Sequence, residues 1–300
     1  MADRWLEHTV AAEEAGRTVQ EVLTGPMQVS RRMIQRLTRA KGILLNRRGA
    51  FLGRKVKAGD VVAARVGVEE AAGLAPVPMP LAIVHEDDDV LVLDKPPFVL
   101  VHPTSPEQRE TLSHGVAHHF ATHGVKAKVR PVHRIDRDTS GLVLFAKTAL
   151  AHSRLDPQLH PGALERRYLA LVDGVVEEDS GAVEAPIGRD PRNPQLRAVR
   201  ADGDAARTRW RVVERLPRAT LLELELETGR THQIRVHAAH LGHPVLGDRQ
   251  YGRAGTGLIR RQALHAARLS FAHPSTGERM SFEAPLPEDM AELVERLRAG

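Results

Sequence analysis

The chain has no cysteine and few aromatics: two tyrosines, two tryptophans and six phenylalanines among 300 residues. The first absence excludes disulfides, thiol nucleophiles and thiolate zinc sites, leaving histidine and carboxylate as the candidate metal ligands. No run approaches the ~18 uninterrupted apolar residues of a membrane span. The start, Met1-Ala2-Asp3-Arg4-Trp5-Leu6-Glu7, lacks the apolar core of a signal peptide. These absences point to a cytoplasmic protein with no membrane partner. Internal repeats and low-complexity tracts are missing too. Hydrophobic residues make up 42%, enough for a sizeable core in one large or two ordinary domains, and the net charge of +5 favours an anionic partner.

The densest chemistry lies in Pro131-Val132-His133-Arg134-Ile135-Asp136-Arg137-Asp138-Thr139-Ser140-Gly141, which feeds the apolar run Leu142-Val143-Leu144-Phe145-Ala146. Two carboxylates and three basic groups crowd a polar loop anchored on a strand, the arrangement of a reactive loop. Asp, Ser, Thr and Gly are also ordinary turn chemistry, so spacing alone leaves both readings open.

Before this loop, Gly16 to about Val68 reads as a small basic module. Ser30 is placed to cap a helix running to about Ala40, with Met33, Ile34 and Leu37 as its apolar stripe. Arg32, Arg36 and Arg39 fall together on another face, so that three guanidinium groups share one surface, with an ordinary solvated face as the plain alternative. Strands follow at Gly42–Asn46 and Val61–Val66. Pro76, Pro78 and Pro80 suit a semi-stiff linker over residues 69–80, dividing a first domain (1–68) from a second (81–300). Ile83 to Lys95 reads as a hairpin around an acidic turn.

His114, His118, His119 and His123 share a helical stretch without a carboxylate among them. His237, His240 and His243 recur at three residues, which winds them around a helix rather than converging them on a metal. Ile187–Arg209 reads as an exposed loop or hairpin. Thr220–Glu227 alternates apolar and acidic, so one sheet face must be wet or bridged by arginine. That favours an α+β fold with a mixed, largely antiparallel sheet.

Taken whole, the string from His133 to Gly141 and its following strand resembles the catalytic motif of the RluA-like pseudouridine synthases. The stretch around Tyr168 matches the family's second motif, and Thr228–Asp248 is similar to its third. The pattern Gly16-Arg17-Thr18-Val19, Val29–Gln35, Gly42–Asn46 and Val56–Asp60 resembles a small RNA-binding domain first known from a ribosomal protein. The resemblance covers nearly the whole chain. It implies Asp136 as the residue attacking an RNA uridine, Arg235 as its partner and Tyr168 stacked on the target base. Arg134 would fill the space the flipped base leaves, and Arg32, Arg36 and Arg39 would meet RNA phosphates. It departs from the family at Phe98, where a glycine is usual and a different local backbone is expected.

Isomerisation needs no redox change or added group, so no cofactor and no metal are expected, and structured RNA is the expected partner of a monomer. Large-subunit ribosomal RNA is the family's commonest substrate and transfer RNA the alternative. The rivals are a non-catalytic RNA-binding or ribosome-assembly protein and a metal-dependent hydrolase using the histidines.

Overall fold

The computed structural model describes residues 4–66, 73–125, 127–160, 162–252 and 257–299. The first module is a four-stranded antiparallel sheet of β1 (Trp5–Thr9), β2 (Ile43–Leu45), β3 (Arg48–Gly49) and β4 (Val61–Arg65), in the order β1-β4-β2-β3. Helices α1 (Val19–Thr24) and α2 (Arg31–Arg39) share its core. The Ser30 hydroxyl accepts a hydrogen bond from the Met33 amide, so α2 starts where the cap was expected. Met33, Ile34 and Leu37 are buried, Arg32 and Arg39 are exposed and Arg36 is partly covered.

The second module is organised on a ten-stranded sheet. Hairpin β5 (Ala82–Glu86) and β6 (Val90–Lys95) is followed by α3 (Leu112–Thr122), β7 (Arg130–Pro131), β8 (Ser140–Ala146), α4 (Ala149–Leu155), β9 (Glu165–Asp173) and β10 (Ser180–Glu184). A separate ribbon, β11 (Ile187–Arg189) with β12 (Arg197–Val199), precedes β13 (Arg207–Leu216), β14 (Ala219–Leu226) and α5 (Gln233–His240). The chain closes with β15 (Leu264–Ala272), β16 (Arg279–Glu283) and α6 (Glu288–Arg298). The order is β10-β13-β14-β9-β15-β8-β6-β5, with β16 beside β15 and β7 beside β8. Only β8 and β15 run parallel, so the sheet is mixed and largely antiparallel. The acidic face of β14 is bridged by arginine: Arg211 donates to Glu223 at 2.7 Å, Arg167 lies 3.5 Å from Glu223 and Glu225, and Arg209 pairs with Glu227.

At the parallel seam, Gly141 has φ +110°, and a Cβ there would lie 2.3 Å from the Ala266 carbonyl oxygen. Only a residue without a side chain lets these strands approach so closely directly after the polar loop.

The modules touch. Leu150 of α4 belongs to the first module's core. Arg154 donates to the Met27 carbonyl at 2.7 Å, and Arg4 forms an ion pair with Asp89 at 2.8 Å. Residues 69–72 of the expected linker lie outside the described residues. Further on, the Val77 amide donates to the His114 carbonyl, and the Met79 side chain lies against Gly115 on α3. Separation along the sequence is therefore accompanied by contact in space.

Two buried histidines hold the ends of β8. Nε2 of His133 accepts from the Leu144 amide at 3.2 Å, and His265 is within hydrogen-bond distance of the Ser140 hydroxyl and the Ala284 carbonyl. Burial, reinforced by the Arg166 charge, pushes His133 down to about 3; burial likewise brings His265 to about 4. Both folded values lie below the ordinary histidine value of about 6.5, so the unfolded chain binds more protons between those limits. Stability is full above about pH 6.5 and falls as the pH drops toward 4 and then 3. At pH 5 each imidazole is expected to cost about 2 kcal/mol relative to pH 8. Urea unfolding at the two pH values checks this. A His265→Asn chain that keeps the wild-type pH dependence would remove His265 from the account.

Candidate active site

The loop between β7 and β8 delivers Asp136 to a cavity of about 280 Å³. Tyr168 of β9, Arg235 and Ile234 of α5, and His232 at that helix's N-terminus share its walls. Arg134 stands exposed at the same cavity. Tyr168 is buried, with its hydroxyl pKa raised by that burial. Its ring therefore offers an apolar wall.

Arg235 is the most constrained group in the site. Its Nε and Nη2 donate to the two oxygens of Asp248 at 2.6 and 2.8 Å, Nη2 also reaches Gln250 at 2.8 Å, and Nη1 donates to Asp136 at 3.0 Å. The Tyr251 ring lies 4.9 Å from its guanidinium carbon. Burial opposes the charge on Arg235, but Asp248 and Asp136 more than reverse it, so its pKa is raised. Burial would raise Asp248, yet the bonds and charge of Arg235 and the amides of Gln250 and Tyr251 hold it lowered. The guanidinium thus presents one nitrogen to Asp136 at an angle fixed from behind. A bidentate carboxylate clamp fixes orientation as well as charge.

Behind the loop, the fully buried Lys95 ammonium donates to the carbonyls of Pro96, Val99 and Arg137 at 2.8 to 2.9 Å. Burial pushes its pKa down to about 7. Its three bonds tie the 96–99 turn to the residue after Asp136. Within that turn Phe98 has φ +70° and is exposed. The left-handed conformation that suits glycine is therefore present with a phenylalanine in it, at a cost of order 1 kcal/mol.

Arg32, Arg36 and Arg39 lie elsewhere. With Lys128, Arg130 and His152 they line a groove of about 900 Å³ between α2 and the second module. Burial, then the nearby Arg36, brings Arg130 down to about 10; burial, then Arg32, lowers Arg36. The groove is a concentration of like charge.

The histidines serve the structure. His119 meets Glu86 at 2.7 Å, His237 bridges the Thr208 hydroxyl and Ala185 carbonyl, and His243 bonds the Asp173 carbonyl. No group of three or more His, Asp or Glu side chains among the described residues is placed to hold a metal ion.

Residues 89–240 match the family model described as RNA pseudouridylate synthase. A Bacillus subtilis protein called the uncharacterized RNA pseudouridine synthase YlyB is 45% identical over 272 residues, spanning 90% of each chain. The chain belongs to the RNA pseudouridylate synthase family. Its RluA-like character rests on relatives such as ribosomal large subunit pseudouridine synthase D of Pasteurella multocida, 40% identical over 258 residues, covering 82% of this synthase and 79% of the relative. The structure of human RNA pseudouridylate synthase domain containing 1 aligns with a TM-score of 0.57 at 26% identity, covering 74% of the synthase and 96% of the human chain. The synthase is thus an isomerase acting on RNA.

Asp248, Gln250, Lys95 and the Arg166 discussed below were given no role in reading the sequence. Asp248 ended the third motif, and Arg166 stood two places before Tyr168. Strand alternation would have put Arg166 on the tyrosine's face, the one signal available.

Proposed function

We propose that this synthase isomerises uridines of large-subunit ribosomal RNA in the cytoplasm, with Asp136 as the group that reacts with the nucleotide. The observation that carries this is the Asp136 carboxylate, 3.0 Å from a nitrogen of the clamped Arg235, in a cavity walled by Tyr168. The relatives named as large-subunit synthases support the substrate.

The reaction breaks the bond from the sugar C1′ to N1 of uracil, turns the base and joins C1′ to C5; C5 loses a proton and N1 takes one up, so the formula is unchanged. Nothing is oxidised and no group is imported, so the chemistry calls for no cofactor. A uridine stacked in RNA cannot reach Asp136, and extruding a base costs a few kcal/mol. In this proposal Tyr168 stacks on the extruded uracil and Arg134 takes the place it vacates. Arg235 sets the carboxylate's direction and offsets its desolvation. Arg32, Arg36 and Arg39 contact phosphates, for which the crowded charge of the interdomain groove is suited. Residues 1–68 form the docking domain, 69–80 the connection and 81–300 the catalytic domain.

The test is to map pseudouridines in the ribosomal and transfer RNA of cells lacking the synthase. Loss of sites in large-subunit RNA, restored by the wild-type gene, is expected; loss confined to transfer RNA would replace the substrate. Removing Arg32, Arg36 and Arg39 together should lower the salt slope of binding by roughly 2 to 3, at about 0.7 to 0.9 per phosphate. An unchanged slope would return them to an ordinary solvated face.

A further inference from the structure

Three arginines are buried among the described residues, and two are matched by carboxylates. Arg235, 5% exposed, has Asp248 and Asp136; Arg261, 1% exposed, has both oxygens of Asp289 at 2.7 and 2.8 Å. Arg166, 7% exposed, has no ion pair or hydrogen-bonded partner for its side chain among the described residues, and its buried Nε is unsatisfied. The neighbouring residue sharpens the contrast. Arg167, on the opposite face of β9, lies within 3.6 Å of Glu165, Glu223 and Glu225. Acid thus pairs with the arginine on one side of the strand, whereas on the other the carboxylate in the cavity, Asp136, is bonded to Arg235 and not to Arg166.

An unmatched buried cation costs several kcal/mol, and removing it commonly stabilises a protein. It persists where a ligand completes it. Arg166 lines the cavity of Asp136, two residues from Tyr168 and on the same face of β9. Room for its guanidinium depends on Gly229, where a Cβ would lie 2.9 Å from Nη1. The site is thus a buried, pre-positioned fork beside the base-stacking wall, open toward the substrate. A guanidinium fork matches the oxygens of a phosphate.

We infer that Arg166 binds the phosphodiester adjoining the extruded uridine, holding the nucleotide's backbone while its base turns against Tyr168. This rests on the reading of Asp136's cavity as the uridine site. It separates two kinds of RNA contact. The α2 arginines meet phosphates far from the reacting base, whereas Arg166 meets one fixed to it.

The experiment compares wild type, Arg166→Met and Arg166→Lys on large-subunit and transfer RNA prepared from cells lacking the synthase. Arg166→Met keeps the buried stem and discards the charge. It should melt at or above the wild-type temperature, raise KM by tenfold or more, and lower the salt slope of binding by about 0.7 to 0.9, the value of one phosphate. Arg166→Lys should restore the slope and part of the KM. A lowered melting temperature with unchanged KM and slope would assign Arg166 a structural role and overturn the inference. A fall in kcat alone, with the slope unchanged, would also overturn it, placing the guanidinium on a uracil oxygen. If the wild-type enzyme forms no pseudouridine in either RNA, the functional reading fails; if it does and the methionine variant matches it, only this inference fails.

Discussion

Asp136→Asn is expected to fold, to bind RNA with wild-type affinity and to form pseudouridine at a rate lower by on the order of 10⁴-fold or more. The amide nearly copies the carboxylate's shape but can neither attack nor take a proton. The fold should survive because Arg235 loses only one of its acceptors and keeps Asp248 and Gln250. A single-turnover assay at saturating enzyme reads the chemical step directly. Residual turnover within tenfold of wild type would remove Asp136 from the mechanism.

The second large effect belongs to a residue that need never touch RNA. Asp248→Ala strips Arg235 of its bidentate partner inside a buried site and frees the amides of Gln250 and Tyr251. Breaking one partner of a buried pair typically costs about 3–5 kcal/mol. Urea unfolding should show a loss of that size. Where the variant remains folded, kcat should fall by about 10²-fold, the penalty for misplacing a reacting group by roughly 1 Å. KM should change less, since Tyr168 and the α2 arginines are untouched. A stable variant with full kcat would show that Arg235 is held well enough by Asp136 and Gln250 alone.

What the sequence made legible was short in range. The Ser30 cap, the apolar stripe of α2, the hairpin around Asp87–Asp89 and the alternation of β14 each depend on residues a few places apart, and local propensity and burial agree there. The pairing of Asp136 with Arg235 spans 99 positions, so only the family resemblance brought those two residues together. Helix α5 is buried from Gln233 through Ala238, which leaves no polar stripe to announce which face meets the loop. Lys95, Arg166 and Arg261 were the hardest to see. Charged residues are ordinarily taken as surface groups, and the carbonyls that hold Lys95 and the acid that holds Arg261 lie at other places in the chain. Phe98 shows the opposite case. The sequence suggested a changed backbone where glycine is usual, and Phe98 stands there at φ +70° between two carbonyls that Lys95 holds.

Arg261 ties the loop of Asp136 to the last helix of the chain. Its guanidinium holds the Asp138 carbonyl, two residues past Asp136, and is itself held by Asp289 at the start of α6. A chain leaving the ribosome folds its earlier domain first, so the first module, once Leu150 of α4 has joined its core, can assemble while the loop of Asp136 still lacks this brace. Lys95 already holds the Arg137 carbonyl, and the second tie, through Arg261, is complete only when α6 emerges.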